Sequence, residues 1–169
     1  MAFARVGDEL YLHGSTGARF MRDMAAGAPV CITVTKLDAL IVARSNFESS
    51  MNYRSVVVFG SAREITGEAK LEALNAISDG LIPGRVAEVR QPTRKELAAT
   101  TMLSISLEEA SVKVRDHGLE DNPDDIGTGV WAGIIPLRTV AEAPIAGDED
   151  AAGLPVPPSV LNWIANPKA

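Results

Sequence analysis

The sequence is poor in the residues that staple small proteins or carry metal chemistry. One cysteine, Cys31, stands among 169 residues, so an intramolecular disulfide is excluded, and a lone thiol in an apolar run suits a reducing cytoplasm. The two histidines, His13 and His117, lie far apart in sequence and supply too few soft ligands for a transition-metal site. No stretch reaches the roughly 18 apolar residues a membrane-spanning helix needs, and no basic-then-apolar N-terminal pattern marks a secretory leader. Excess positive charge is also missing. Net charge is −6, from 22 acidic against 16 basic residues, with acids concentrated over 108–125 and 148–150, which disfavours nucleic acid and anionic lipid. A soluble cytoplasmic protein is expected.

What is present is an ordinary globular mixture, 46% hydrophobic and 22% charged, of one-domain length. Met1 to Val6 alternates as a strand before a Gly7-Asp8 turn, and Leu10 to His13 is the second strand of that hairpin. Glycines and hydroxyls at 14–17 then open a helix for which Ser15 or Thr16 is the cap, ending at Gly27 and Pro29. Val30 to Thr35 reads as a strand turned by Leu37 to Leu40 into Ile41 to Ala43. Tyr53 to Ala62 contains Val56-Val57-Val58-Phe59, the apolar run of a strand buried on both faces or lining a barrel. A helix carrying Leu71, Leu74, Ile77 and Leu81 is expected to be capped by Thr66 and ended by Gly80 and Pro83. Thr93 to Glu96 is a capping box that starts a second, short helix. Further strands follow at 102–107, 111–115 and 131–137, and the segments 116–129 and 140–158 read as loop and extended tail. Short strands with inserted rather than alternating helices predict an α+β, mainly β domain built on a small antiparallel barrel.

Two polar clusters stand out. At His13-Gly14-Ser15-Thr16-Gly17-Ala18-Arg19, backbone amides, two hydroxyls and a guanidinium at a strand-to-helix junction fit an anion such as phosphate, and fit equally an ordinary capped helix with a surface arginine. Asn52-Tyr53-Arg54-Ser55 brings adjustable hydrogen bonds, a flat ring and a cation to the head of the apolar strand, as a ligand site or as exposed polar groups where a strand begins. Trp131 either packs in the core or covers a planar ligand, and Trp163 docks the tail. Asp121, Asp124 and Asp125 lack the alternation and closing Glu of a calcium loop, and no G-x-S-x-G elbow accompanies Ser104 or Ser106.

Taken in order, LYLHGSTGAR at 10–19, SMNYRSVVVFG at 50–60, KELAATT at 95–101 and EASVKVR at 109–115 resemble the pyridoxamine 5′-phosphate oxidase-like FMN-binding split barrels, in particular the bacterial flavin-nucleotide-binding branch related to nitroimidazole-resistance proteins. The resemblance covers 1–140 as an FMN-binding split-barrel domain and leaves 141–169 as a Pro- and Ala-rich tail. It implies a six-stranded split barrel that dimerises, with FMN at the subunit interface and hydride transfer through flavin N5 to a small-molecule substrate, NAD(P)H being a candidate reductant. It places His13, Gly14, Ser15, Thr16 and Arg19 at the flavin phosphate and ribityl chain. Asn52, Tyr53, Arg54, Ser55 and, loosely, Trp131 fall nearer the ring. Phe20 stands where family oxidases carry a second phosphate-binding cation, and Ser55 where they carry Gln. The family's preceding helix and first hairpin are expected to be absent. A deazaflavin in place of FMN, and a non-catalytic flavin-binding or dimeric interaction module, remain open.

Overall fold

The structure, a computed structural model, describes residues 1–166. In chain order its elements are β1 (Phe3–Val6), β2 (Glu9–Ser15), α1 (Arg19–Ala25), β3 (Pro29–Val42), β4 (Ser50–Ser61), β5 (Arg63–Glu64), α2 (Ala69–Leu81), α3 (Arg94–Ala98), β6 (Thr100–Ser106), β7 (Ala110–Arg115), β8 (Gly133–Pro136), α4 (Glu149–Ala152) and α5 (Pro158–Ala165). The mainly β, α+β class expected from the pattern is the one observed: two four-stranded sheets, ordered β1-β2-β6-β5 and β7-β4-β3-β8, with helices inserted between strands. That is two strands more than the six the resemblance implies, and β5 is only two residues long.

The chain divides into two compact units. One contains Met1–Val30, Phe59–Glu109 and the segment from Val140. Its β1–β2 hairpin closes through Gly7-Asp8 between paired Val6 and Glu9, and Gly7 takes φ 59°, a left-handed conformation that favours glycine. β2 runs antiparallel to β6 from Glu9↔Ser106 to Ser15↔Thr100. Residues on the core side of these strands, Leu10, Leu12, Leu103 and Ile105, are buried together with Met21 and Met24 of α1. α2 lays Ala73 and Ile77 against Ala4 and Met102. The second unit, Cys31–Val58 with Ala110–Thr139, is a sheet in which β4 pairs with β7 from Tyr53↔Arg115 to Val58↔Ala110, and β3 pairs with β8 from Ala39↔Pro136 to Val42↔Gly133. Its buried apolar residues are Ala39, Ile41, Ala43 and Val58.

Several local expectations are corrected. Leu37 to Leu40 is no turn: β3 is one 14-residue strand, because the segment holds no Gly, Pro or Asn and Lys36 and Asp38 keep the alternation going. Neither Ser15 nor Thr16 caps α1. Its N-cap is Ala18, while Ser15 Oγ accepts from the Gly17 amide in a local turn. α2 begins at Ala69 after Glu68, without a side-chain cap from Thr66, and Gly80 lies inside it, where a Cβ would stand 3.4 Å from Ala4. Within Val56 to Phe59 only Val58 is buried, and Phe59 is half exposed. The tail is not merely extended. Asp148 caps α4, and the Glu88 carboxylate accepts from both the amide and the hydroxyl of buried Ser159 at the start of α5, the contact that holds Glu88 below the usual carboxylate range.

The capping box at α3 is formed as expected: Thr93 Oγ1 accepts from the Glu96 amide at 3.2 Å, and Glu96 accepts from the Thr93 amide at 2.7 Å. Arg90 adds a two-pronged ion pair at 2.6 and 2.8 Å and is the main reason that Glu96 falls from 4.5 to about 2. A depressed carboxylate stabilises the fold above its unfolded pKa, and the contribution declines as pH falls from about 4.5 through about 2. Carbon-detected NMR titration of the Glu96 carboxyl should therefore give a midpoint near 2, and Arg90→Gln should move it upward. A midpoint at the ordinary glutamate value in the unmodified protein would show the pair to be unformed in solution.

Candidate functional site

In the first unit, the His13 to Arg19 cluster lies where β2 ends and α1 begins. Thr16 N–H donates to the Ala99 carbonyl at 3.0 Å, extending the β2–β6 ladder, Gly17 N–H donates to Ser15 Oγ, and Ala18 N–H donates to the Ser15 carbonyl. The amides of 16–18 are thus committed within the chain. Arg19 is 88% exposed and tethered only by a 3.6 Å ion pair to Asp23 on the next turn. Gly14 permits a close approach: a Cβ there would sit 2.7 Å from Met21 Cγ, so the absence of a side chain is what lets α1 fold onto the strand end. His13 is half-buried, and its Nδ1 is the one buried side-chain nitrogen or oxygen without a hydrogen-bond partner among the described residues. Native structures rarely leave such an atom unpaired without a reason.

In the second unit, β4 presents Asn52 to Ser55 with alternating faces. Asn52 is buried and ties down the acidic segment: its Nδ2 donates to the His117 carbonyl at 2.8 Å, and its Oδ1 accepts from Arg115 and from the His117 amide. Arg54 forms a two-pronged pair with Asp38 of β3 at 2.8 and 3.0 Å, which lowers the Asp38 pKa and raises that of Arg54. On the other face, Thr35 donates to Ser55 Oγ at 3.1 Å, and the Lys113 ammonium lies 5.8 Å from the centre of the Tyr53 ring. Trp131 precedes β8 at 66% exposure, folded back so that a Cβ on Gly133 would lie 2.8 Å from its indole.

Two participants escape a reading by motif. Lys113 lies on β7 directly across from Ser55, and the signal for it is the two-residue alternation of Ser111, Lys113 and Arg115 against Val112 and Val114. Asp121, in a loop that reads as solvated, is 5% exposed and accepts from both the amide and the guanidinium of Arg44. Its partner lies 77 positions away, so no local pattern reveals it. Among the described residues no group of three or more His, Cys, Asp or Glu is placed to hold a metal ion, and no helix is long and apolar enough to cross a membrane.

Comparison with known proteins bears on the same segments. The family model of pyridoxamine 5′-phosphate oxidase matches residues 1–114, which include the HGSTGAR turn, all of β4 and nearly all of β7. The chain belongs to this family. The FAD and heme binding protein of Mycobacterium smegmatis is 48% identical over 95% of this oxidase-family chain and 79% of its own, with a TM-score of 0.90. The flavocytochrome Anf3 of Azotobacter vinelandii is 38% identical over 95% of this chain and 75% of its own, with a TM-score of 0.84. A 5-nitroimidazole antibiotic resistance protein of Bacteroides thetaiotaomicron shares the fold at 19% identity and a TM-score of 0.53, covering 66% of this chain and 64% of its own. No curated protein sequence matches the chain. The family reached from the LYLHGSTGAR and SMNYRSVVVFG segments is the one found, and the antiparallel sheets are those of its split-barrel fold.

Proposed function

We propose that this chain binds a flavin through its FMN moiety, as FMN itself or as the FMN half of FAD, and works as a cytoplasmic, homodimeric flavin oxidoreductase with 1–140 as its flavin domain. The observation that carries the reading is the 48% identity, over 95% of the chain, to a protein named for FAD, within a family match that includes both polar clusters. A bound flavin supplies reversible hydride acceptance at N5. Arg19, exposed and loosely paired, is the cation for the phosphate common to FMN and FAD, with Ser15 and Thr16 hydroxyls beside it. His13 offers its unpartnered Nδ1 to a polar group of the bound molecule, and Gly14 keeps that wall thin.

The test is the absorbance spectrum of the purified protein and the mass of any released cofactor, which separates FMN, FAD and a deazaflavin. A colourless protein that takes up neither FMN nor FAD overturns the reading. Arg19→Ala should weaken flavin binding by about 1–3 kcal/mol, the range of a charge-assisted contact, as measured by fluorescence quenching. Steady bleaching of the loaded protein by NAD(P)H with turnover separates an enzyme from a flavin-binding module, and light scattering reads the dimer.

A heme is a second reading, favoured by His13. Both similar flavoproteins are named for heme or as a cytochrome, and neither ring nitrogen of this half-buried imidazole has a partner among the described residues. His13, whose imidazole has no partner of its own, is the residue that would hold a heme iron, and the iron would supply one-electron chemistry there. A Soret band after hemin addition that His13→Ala removes and His117→Ala keeps would establish it.

A further inference from the structure

One face of the β7-β4-β3 portion of the second sheet carries a concentration of hydrogen-bond donors that the chain itself leaves unused. Ser55 and Lys113 are cross-strand partners, Tyr53 is one step along β4, and Thr35 reaches Ser55 from β3. The 3.1 Å bond from Thr35 Oγ1 and the 5.8 Å approach of Lys113 to the Tyr53 ring fix all four side chains on the same face. Ser55 Oγ accepts from Thr35, so its own hydrogen remains to be donated. Lys113 is exposed and has no carboxylate partner among the described residues, and the Tyr53 hydroxyl makes no hydrogen bond there. The nearest acid along β3, Asp38, points to the opposite face by strand alternation and is held by Arg54. The face is therefore cationic, rich in hydroxyl donors and flanked by an aromatic ring, and its four side chains include no carboxylate. It calls for a flat ligand whose edge bears acceptors and gathers negative charge.

We propose that this face receives the pyrimidine edge of the flavin, with Lys113 as the cation for the N1–C2=O locus and Ser55 as the neighbouring donor, so that Lys113 sets the flavin's reduction potential. The inference rests on the flavin reading above and goes beyond it in naming the residue that tunes the cofactor. Reduction builds negative charge at N1–C2=O, and a fixed ammonium beside it stabilises the reduced form more than the oxidised one. The same asymmetry governs sulfite, whose addition at flavin N5 places negative charge on N1–C2=O.

The experiment uses the flavin-loaded full chain and measures midpoint potential and sulfite dissociation constant for the unmodified protein, Lys113→Met, Lys113→Arg and Ser55→Ala. Lys113→Met should move the potential to more negative values and weaken sulfite about tenfold or more, while changing affinity for oxidised flavin far less. Lys113→Arg should restore most of both, and Ser55→Ala should shift both in the same direction by a smaller amount. Unchanged potential and sulfite affinity in a flavin-loaded Lys113→Met protein would overturn the proposal and leave flavin binding standing. If only the affinity of an anionic substrate analogue changes, the face holds substrate and the proposal also fails. An unmodified protein that takes up no flavin removes both readings. If Lys113→Met does not fold, an absence of any shift in Ser55→Ala decides against the proposal.

Discussion

Met21→Ala should destabilise the unit built on β1-β2-β6-β5 by about 2–5 kcal/mol, measured by urea unfolding followed by circular dichroism. Met21 is 1% exposed and fills the space that Gly14 leaves at the end of β2. The converse change, Gly14→Ala, drives a Cβ to 2.7 Å from Met21 Cγ and 2.8 Å from its sulfur, atoms too close to the helix backbone to swing fully clear. It should cost roughly 1–3 kcal/mol as overpacking. Combined, the two substitutions should cost clearly less than their sum, because the alanine at 14 partly refills the cavity left at 21. Additive costs would show that the two side chains do not share one space. On the flavin site proposed above, the same pair should also lower flavin affinity, because Gly14 lies between His13 and Ser15.

The second large effect is expected at Asn52. Asn52→Ala removes one acceptor and one donor from a buried position and strands the amide and carbonyl of His117 as well as one Arg115 contact. At about 1–3 kcal/mol for each buried group left unpaired, a loss of roughly 2–4 kcal/mol is expected once partial rehydration is allowed for. Hydrogen exchange should quicken first at 116–121, where the released segment meets its other anchor, the buried Asp121 carboxylate on Arg44. Asn52→Asp keeps the acceptor for Arg115 and for the His117 amide but sets a carboxylate oxygen against the His117 carbonyl, so it too should quicken exchange. Equal exchange rates in all three proteins would mean that the loop holds itself without Asn52. The neighbouring pair Arg54–Asp38 is largely open to solvent, and its loss should matter much less for stability.

The two halves of Asn52-Tyr53-Arg54-Ser55 show why a polar cluster is easier to find than to interpret. All four residues were visible as an unusual group at the head of an apolar strand, since composition and alternation are local properties. Their division of labour was not visible. Asn52 faces a segment 65 positions later, Arg54 a carboxylate on β3, and Ser55 and Tyr53 a lysine on β7, and each partner is selected by strand pairing across the sheet. The same holds at the first cluster. HGSTGAR advertises amides and hydroxyls, yet the ladder to β6 and a local serine turn commit the amides of 16–18, while the arginine side chain and the imidazole Nδ1 stay open.

The sequence by itself determined what depends on neighbours within a few residues. The Gly7-Asp8 hairpin, the Thr93–Glu96 capping box, the mainly β class and the order of segments that marks the family all rest on turn chemistry, alternation and short spacing. Only the tertiary structure decided the rest. It made one long strand of β3, since nothing in 37–40 breaks an extended chain once β4 and β8 stand on either side. It turned part of the tail into a helix received by Glu88, buried Asp121 against Arg44, and set Lys113 opposite Ser55. Each of these joins residues that are remote along the chain, and the energy that fixes them comes from pairing and burial rather than from any local preference.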